Sequence, residues 1–154
     1  MSGWAQGRAV VDRLLRSKRI ERVEPNRATA DQLIALARGH IQSAITLRDD
    51  DPAGAFQLAY DAARKSLTAV LAVQGLRPSG AGHHAVLLDV TMAQFEPSRK
   101  LLKQFGWMRT LRNDTEYPDS DRPIATVADV DEAIAATHEI IGFAASALDR
   151  LSQY

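Results

Sequence analysis

The stretch AGAFQLAYDAARKSLTAVLAVQ, residues 53–74, decides the fold class. Alanine and leucine, the strongest helix formers, dominate it, and no proline interrupts it. Asp49, Asp50 and Asp51 stand before it with Pro52: an aspartate can accept from the free N–H groups of a first turn, where proline loses nothing by lacking one. Gly75 suits a left-handed C-cap, and Pro78 lies just beyond. Ala55, Ala59, Ala62, Ala63 and Ala69 are small enough for a neighbouring helix to lie close. The three aspartates resemble a metal cluster, but carboxylates at a helix N-terminus are favoured by the helix dipole without any ion, and they are read as caps.

Upstream, Leu33, Leu36, Ala37, Ile41, Ala44 and Ile45 recur at three and four, which predicts a helix from Ala30 to about Leu47 with Thr29 and Gln32 as its capping box. Before it, Gly7 to Val23 carries Val10, Val11, Leu14, Leu15 and Ile20 and is closed by Pro25. Residues 1–28 are therefore expected to form an arm or a short helix outside a helical domain of residues 29–154. Arg13, Arg16, Lys18, Arg19 and Arg22 give that segment a basic face, read as solvated rather than as a phosphate contact.

Downstream, glycines at 80 and 82 break the chain, and a third helix is expected from His83 to Met92 on Val86, Leu87 and Val90. A fourth, with Pro97 in its first turn, should run from Ser98 to about Asn113 on Leu101, Leu102, Phe105, Met108 and Leu111, ahead of an acidic, proline-rich loop from Pro118 to Pro123. Thr126, with Asp129 behind it, caps a last helix to Leu151. No stretch alternates with period two for long enough to propose a strand. Short connections between long amphipathic helices imply an all-α, up-and-down bundle of about five helices.

Composition narrows the chemistry. With 45% hydrophobic and 25% charged residues the chain is an ordinary globular one. It has no cysteine, which removes disulfides and thiolate chemistry and fits a cytoplasmic setting. Nineteen basic and nineteen acidic side chains cancel, so overall charge favours neither nucleic acid nor membrane. No apolar run is long enough to span a bilayer, and the charges Asp12 and Arg13 break up any secretory core. There is no phosphate-binding glycine loop, nucleophile elbow or zinc helix. The histidines, His40, His83, His84 and His138, are too scattered to suggest a metal. What remains is Leu111-Arg112-Asn113-Asp114-Thr115-Glu116-Tyr117-Pro118, where an arginine, an amide, carboxylates and a phenol crowd the end of a helix. Helical spacing offers Arg112 a local salt bridge to Glu116.

Two segments resemble the HEPN family of small helical domains. One is Ala59-Tyr60-Asp61-Ala62-Ala63-Arg64-Lys65-Ser66-Leu67, continued by Gly75-Leu76-Arg77-Pro78 and Gly82-His83-His84; the other is Leu111-Arg112-Asn113. The likeness covers roughly Ala30 to Leu151. It implies a homodimer, no metal or other cofactor, and a setting common in toxin–antitoxin and nucleotidyltransferase-associated systems of prokaryotes. Active members pair the arginine with a histidine after four to six intervening residues, and the two cleave RNA across the dimer interface. Here those positions hold Tyr117, Pro118 and Asp119. A phenol, with its pKa near 10, stays protonated at neutral pH and is a poor base, whereas imidazole titrates at about 6.5. The resemblance thus implies a cleft of Arg112, Asn113, Glu116 and Tyr117 that binds RNA, a nucleotide or a partner protein without efficient catalysis. Two alternatives stand beside it. One is an endoribonuclease in which Arg112 works with a non-standard partner, Tyr117 or one of His83 and His84 brought from the neighbouring helix or the other subunit. The other is an interaction module that docks a nucleotidyltransferase.

Overall fold

A computed structural model describes residues 7–80, 82–95, 99–117 and 124–154. Its centre is the helix read first, α3, Pro52–Gln74, with Asp51 as N-cap accepting from the Gly54 amide and Gly75 as left-handed C-cap. Around it stand α1 (Arg8–Arg16), α2 (Arg27–Leu47), α4 (His83–Gln94), α5 (Arg99–Glu116) and α6 (Val127–Leu148). The fold is an all-α bundle.

Helix α3 packs most extensively on α2 and then on α6, and also touches α4 and α5. The small residues make this possible: Ala55, Ala59, Ala62, Ala63 and Ala69 are all fully buried, so the alanine stripe serves helix contacts inside one chain. The Thr137 hydroxyl on α6 comes close enough to donate to the Ala59 carbonyl of α3 at 3.2 Å. On α6 the expected cap forms in full, the Thr126 hydroxyl accepting from the Asp129 amide while the Asp129 carboxylate accepts from the Thr126 amide. At the α2–α3 turn Arg48 reaches Asp131 on α6 at 2.7 Å, so the three long helices are also joined at that end.

Three features differ from the sequence reading. The N-cap of α2 is Asn26, not Thr29: its side chain accepts from the Thr29 amide at 2.9 Å, and the helix starts one turn earlier, directly after Pro25. Asparagine caps at least as well as threonine, and the earlier site gains a turn of helix. A two-stranded antiparallel sheet is present where no strand was proposed, β1 (Ile20–Arg22) with β2 (Leu76–Pro78), Ile20 lying opposite Pro78. Three residues are too few to show alternation, and the pairing is long-range, so no local pattern announces it. Lastly, residues 7–28 are packed: Val11, Leu14 and Ile20 are in the core and α1 lies on α4. Gly75 fixes this junction, since at φ 74° a Cβ would meet the Val23 carbonyl oxygen at 2.6 Å. Arg13, Arg16, Lys18, Arg19 and Arg22 are exposed, and Arg22 donates to the Tyr154 carbonyl at 2.7 Å. Pro97, Ser98 and the loop from Pro118 to Pro123 lie outside the described residues.

A buried amide pair ties α3 to α4. Gln74 Nε2 donates to Gln94 Oε1 at 2.7 Å, and Gln94 Nε2 returns a bond at 3.3 Å, with both side chains withdrawn from water. Replacing one partner strands the other, and an orphaned buried amide costs about 1–3 kcal/mol. Gln74→Leu and Gln94→Leu should each lower stability by about that amount, and the double variant by less than the sum of the two. Urea unfolding of the four proteins measures the coupling, and strict additivity would contradict it.

Candidate functional site

Helix α5 is set on α3 by aromatic side chains. Phe105 stacks on Tyr60 with ring centroids 5.3 Å apart and planes at 11°, and Trp107 meets Phe56 edge to face at 5.8 Å. Gly106 between them lets Leu88 of α4 approach, for a Cβ there would lie 3.3 Å from a Leu88 methyl. Seven residues beyond Phe105, two helical turns, the Arg112 side chain returns to the same face.

There its guanidinium sits over the Tyr60 ring, 5.7 Å from the centroid, within range of a cation–π attraction. Arg112 Nε donates to Gln57 Oε1 at 3.0 Å, Nη1 to Asn113 Oδ1 at 3.2 Å, and Nη2 meets Glu116 Oε2 at 2.8 Å. The sequence-predicted bridge to Glu116 is therefore made. Of the five N–H groups that a guanidinium carries, three are engaged and two make no hydrogen bond among the described residues. The side chain keeps 21% of its surface exposed, at the wall of a cleft of about 250 Å³ formed by Ala53, Phe56, Gln57, Thr115 and Glu116. Arg112 is held but not sealed.

Behind Gln57 the polar contacts continue along α3. Its amide donates to Asp61 Oδ1 at 3.1 Å, and Asp61 faces Arg64 Nη2 at 3.8 Å. Residues 57, 61 and 64 follow at helical spacing, so one face of α3 carries a relay that joins two arginines. Arg109, one turn before Arg112 on α5, adds a third: its Nε is buried without a hydrogen-bond partner among the described residues. Its charge, with those of Arg112 and Arg64, reaches Tyr60 and His84.

Tyr60 is fully buried, and its hydroxyl lies 2.7 Å from His84 Nδ1 at the start of α4. Burial pushes the Tyr60 phenol up to about 12, against the opposing pull of Arg112 and Arg64. Burial pushes His84 below its ordinary value, and Arg64 and Arg112 push it further. At neutral pH a protonated phenol thus faces a neutral imidazole. Tyr60 O–H donates, Nδ1 accepts, and the imidazole proton is left on Nε2. Reversing the tautomer would leave the phenol proton in the core with no acceptor among the described residues, a penalty of about 1–3 kcal/mol. His84 is therefore kept as a hydrogen-bond donor toward the outside.

The sequence-predicted site residues are brought together only in part. Arg112, Asn113 and Glu116 meet, and His84 joins them through Tyr60. His83 is exposed on the far side of His84. Tyr117 ends α5 with 65% of its surface exposed, its phenol making no hydrogen bond among the described residues, and Pro118 and Asp119 lie outside them. Gln57, Tyr60, Asp61, Arg64 and Arg109 were not singled out as site residues from sequence. The readable signal was Gln57, Asp61 and Arg64 at polar spacing in an otherwise apolar helix. Asp51 acts as a cap and Asp49 pairs with Arg48, and no group of three or more metal-binding side chains occurs among the described residues. No helix among them is long and apolar enough to cross a membrane.

A family model described as HEPN domain matches residues 20–148. No curated protein and no solved structure matches the chain.

Since the folded His84 has the lower pKa, the unfolded chain binds more protons between the two values. Its stabilising contribution is complete above about pH 6.5 and is lost as pH falls toward the folded value. His40, lowered by burial and by Lys65, acts in the same direction. Thermal stability should therefore drop on acidification from about pH 7 to about pH 5. His84→Gln, whose amide oxygen can accept from Tyr60, should reduce that drop and leave the His40 share; an unchanged drop would contradict the assignment.

Proposed function

The chain belongs to the HEPN domain family, and from that premise we propose that it is an RNA-binding member which holds a backbone phosphate at Arg112 without cleaving efficiently. The observation that carries this reading is the bond from Tyr60 to His84, 2.7 Å long. It commits the one imidazole near Arg112 to donating. Cleavage of RNA needs a group that removes the ribose hydroxyl proton, and a base must present a lone pair to it. His84 presents N–H to the exterior, Tyr117 is a phenol, and Asp61 is turned to Gln57 and Arg64. By contrast, the two N–H groups of Arg112 without a partner among the described residues suit a phosphate, which a planar guanidinium can take with two parallel bonds.

Asn113 and Glu116 hold the guanidinium in place in this proposal, and the exposed Tyr117 offers a face on which a base can stack. A homodimer belongs to the same proposal. Ile124, 53% exposed, is apolar surface of the kind a second copy would cover, and the monomer mass in sedimentation would count against it.

The ribonuclease reading has one supporting observation, that His84 stands near Arg112 with a lowered pKa. Incubation with single-stranded RNA separates the readings. Binding without cleavage is expected, weakened about tenfold or more in Arg112→Ala, as loss of a charge-assisted phosphate contact predicts. Efficient cleavage abolished by Arg112→Ala would establish the nuclease instead. If Arg112→Ala lowers stability but leaves RNA binding unchanged, the side chain serves the fold and a docking role toward a protein such as a nucleotidyltransferase gains ground.

A further inference from the structure

A second cavity, also of about 250 Å³, opens between α3, β2 and α4 and shares no lining residue with the Arg112 cleft. Arg64, Arg77, His83 and His84 line it together with Thr68, Pro78 and Leu87. No carboxylate is among the lining residues. Arg77 is held outside by Glu21 across the β1–β2 pair, and the Thr68 hydroxyl donates to its own helix, to the Arg64 carbonyl at 2.8 Å. Arg64, by contrast, is loosely held. Its only ion pair among the described residues, with Asp61, is 3.8 Å long, and 29% of its side chain is exposed. His84 turns its Nε2–H away from Tyr60. The wall is thus furnished with donors, and the carboxylates that meet its arginines, Asp61 and Glu21, are not among the lining residues described.

We propose that this cavity is a second phosphate subsite, so that the ligand is a single-stranded oligonucleotide laid along α3 rather than a mononucleotide. The inference rests on the reading of Arg112 as the first phosphate contact. Gln57, which holds Arg112, and Arg64 are seven residues apart, about 10 Å along the helix axis. That separation exceeds the distance between neighbouring phosphates of a nucleoside polyphosphate and suits phosphodiesters of an extended strand. Gln57 bonds both Arg112 and Asp61, and Asp61 faces Arg64, so a line of polar contacts along α3 links the two arginines. His84, bonded to the Tyr60 that lies under Arg112 and lining the same cavity as Arg64, contributes its N–H.

Fluorescence titration with octauridylate and with uridine monophosphate tests this, using wild type, Arg64→Gln, Thr68→Glu and Arg112→Ala. Thr68→Glu leaves the arginine in place and adds a carboxylate to the wall, so the test does not depend on one variant, and circular dichroism checks that each is folded. Arg64→Gln and Thr68→Glu should each weaken octauridylate by about tenfold and leave the monophosphate, held at Arg112, unchanged. In Arg64→Gln the dependence of log affinity on log salt should also become shallower by about 0.7, the share of one phosphate on a single strand. If both variants bind octauridylate within twofold of wild type, the second subsite is refuted while Arg112 binding stands. If Arg112→Ala leaves both ligands unaffected but the cavity variants weaken octauridylate, the subsite stands and the Arg112 reading is the one that fails.

Discussion

A tyrosine hydroxyl in the core must find an acceptor, and that constraint organises the site. Tyr60 has no exposed surface, so its phenol cannot turn to water, and the partner it has is His84 Nδ1. The same ring is pressed against Phe105 on one side and lies below Arg112. One side chain of α3 therefore fixes the start of α4, the tilt of α5 and the place of the guanidinium. Deleting the hydroxyl would release His84 without opening a cavity, whereas removing the ring would disturb all three helices.

The bundle was legible because its signals are local. Gly75 as a C-cap, Asp51 with Pro52 as a start, and Thr126 with Asp129 as a capping box each rest on neighbours within a few residues, and each appears in the structure. The sheet and the packing of residues 7–28 were not legible, because Ile20 meets Pro78 across the chain and no nearby residue foretells it. Thr29 was read as the cap because it begins a capping-box pattern; the helix starts a turn sooner, capped by Asn26. In the site, Arg112 with Glu116 followed from helical spacing. Tyr60 and Gln57 did not, since each looks like an ordinary member of an amphipathic helix until α5 and α4 are placed beside it.

Three arginines near one buried phenol would be unfavourable if all three pointed at one another. The chain spreads them: Arg112 is balanced by Glu116 and Gln57, Arg64 by Asp61, and Arg109 is half-buried, its Nε without a partner among the described residues. The result is a face with more donors than acceptors and rigid support beneath it, the preorganisation that a phosphate contact requires. In the proposed reading, catalysis would require an imidazole lone pair at the site of the ribose hydroxyl, and the bond that keeps Tyr60 satisfied engages the Nδ1 lone pair of His84.

That bond has a direction, and nitrogen-15 NMR of the histidine rings reads it directly. At neutral pH the account predicts that His84 carries its proton on Nε2, with an unprotonated Nδ1 whose resonance moves when Tyr60 is changed to phenylalanine. A His84 protonated on Nδ1 with a bare Nε2, or a ring carrying both protons at neutral pH, would contradict it and return this histidine to the role of a base or a cation.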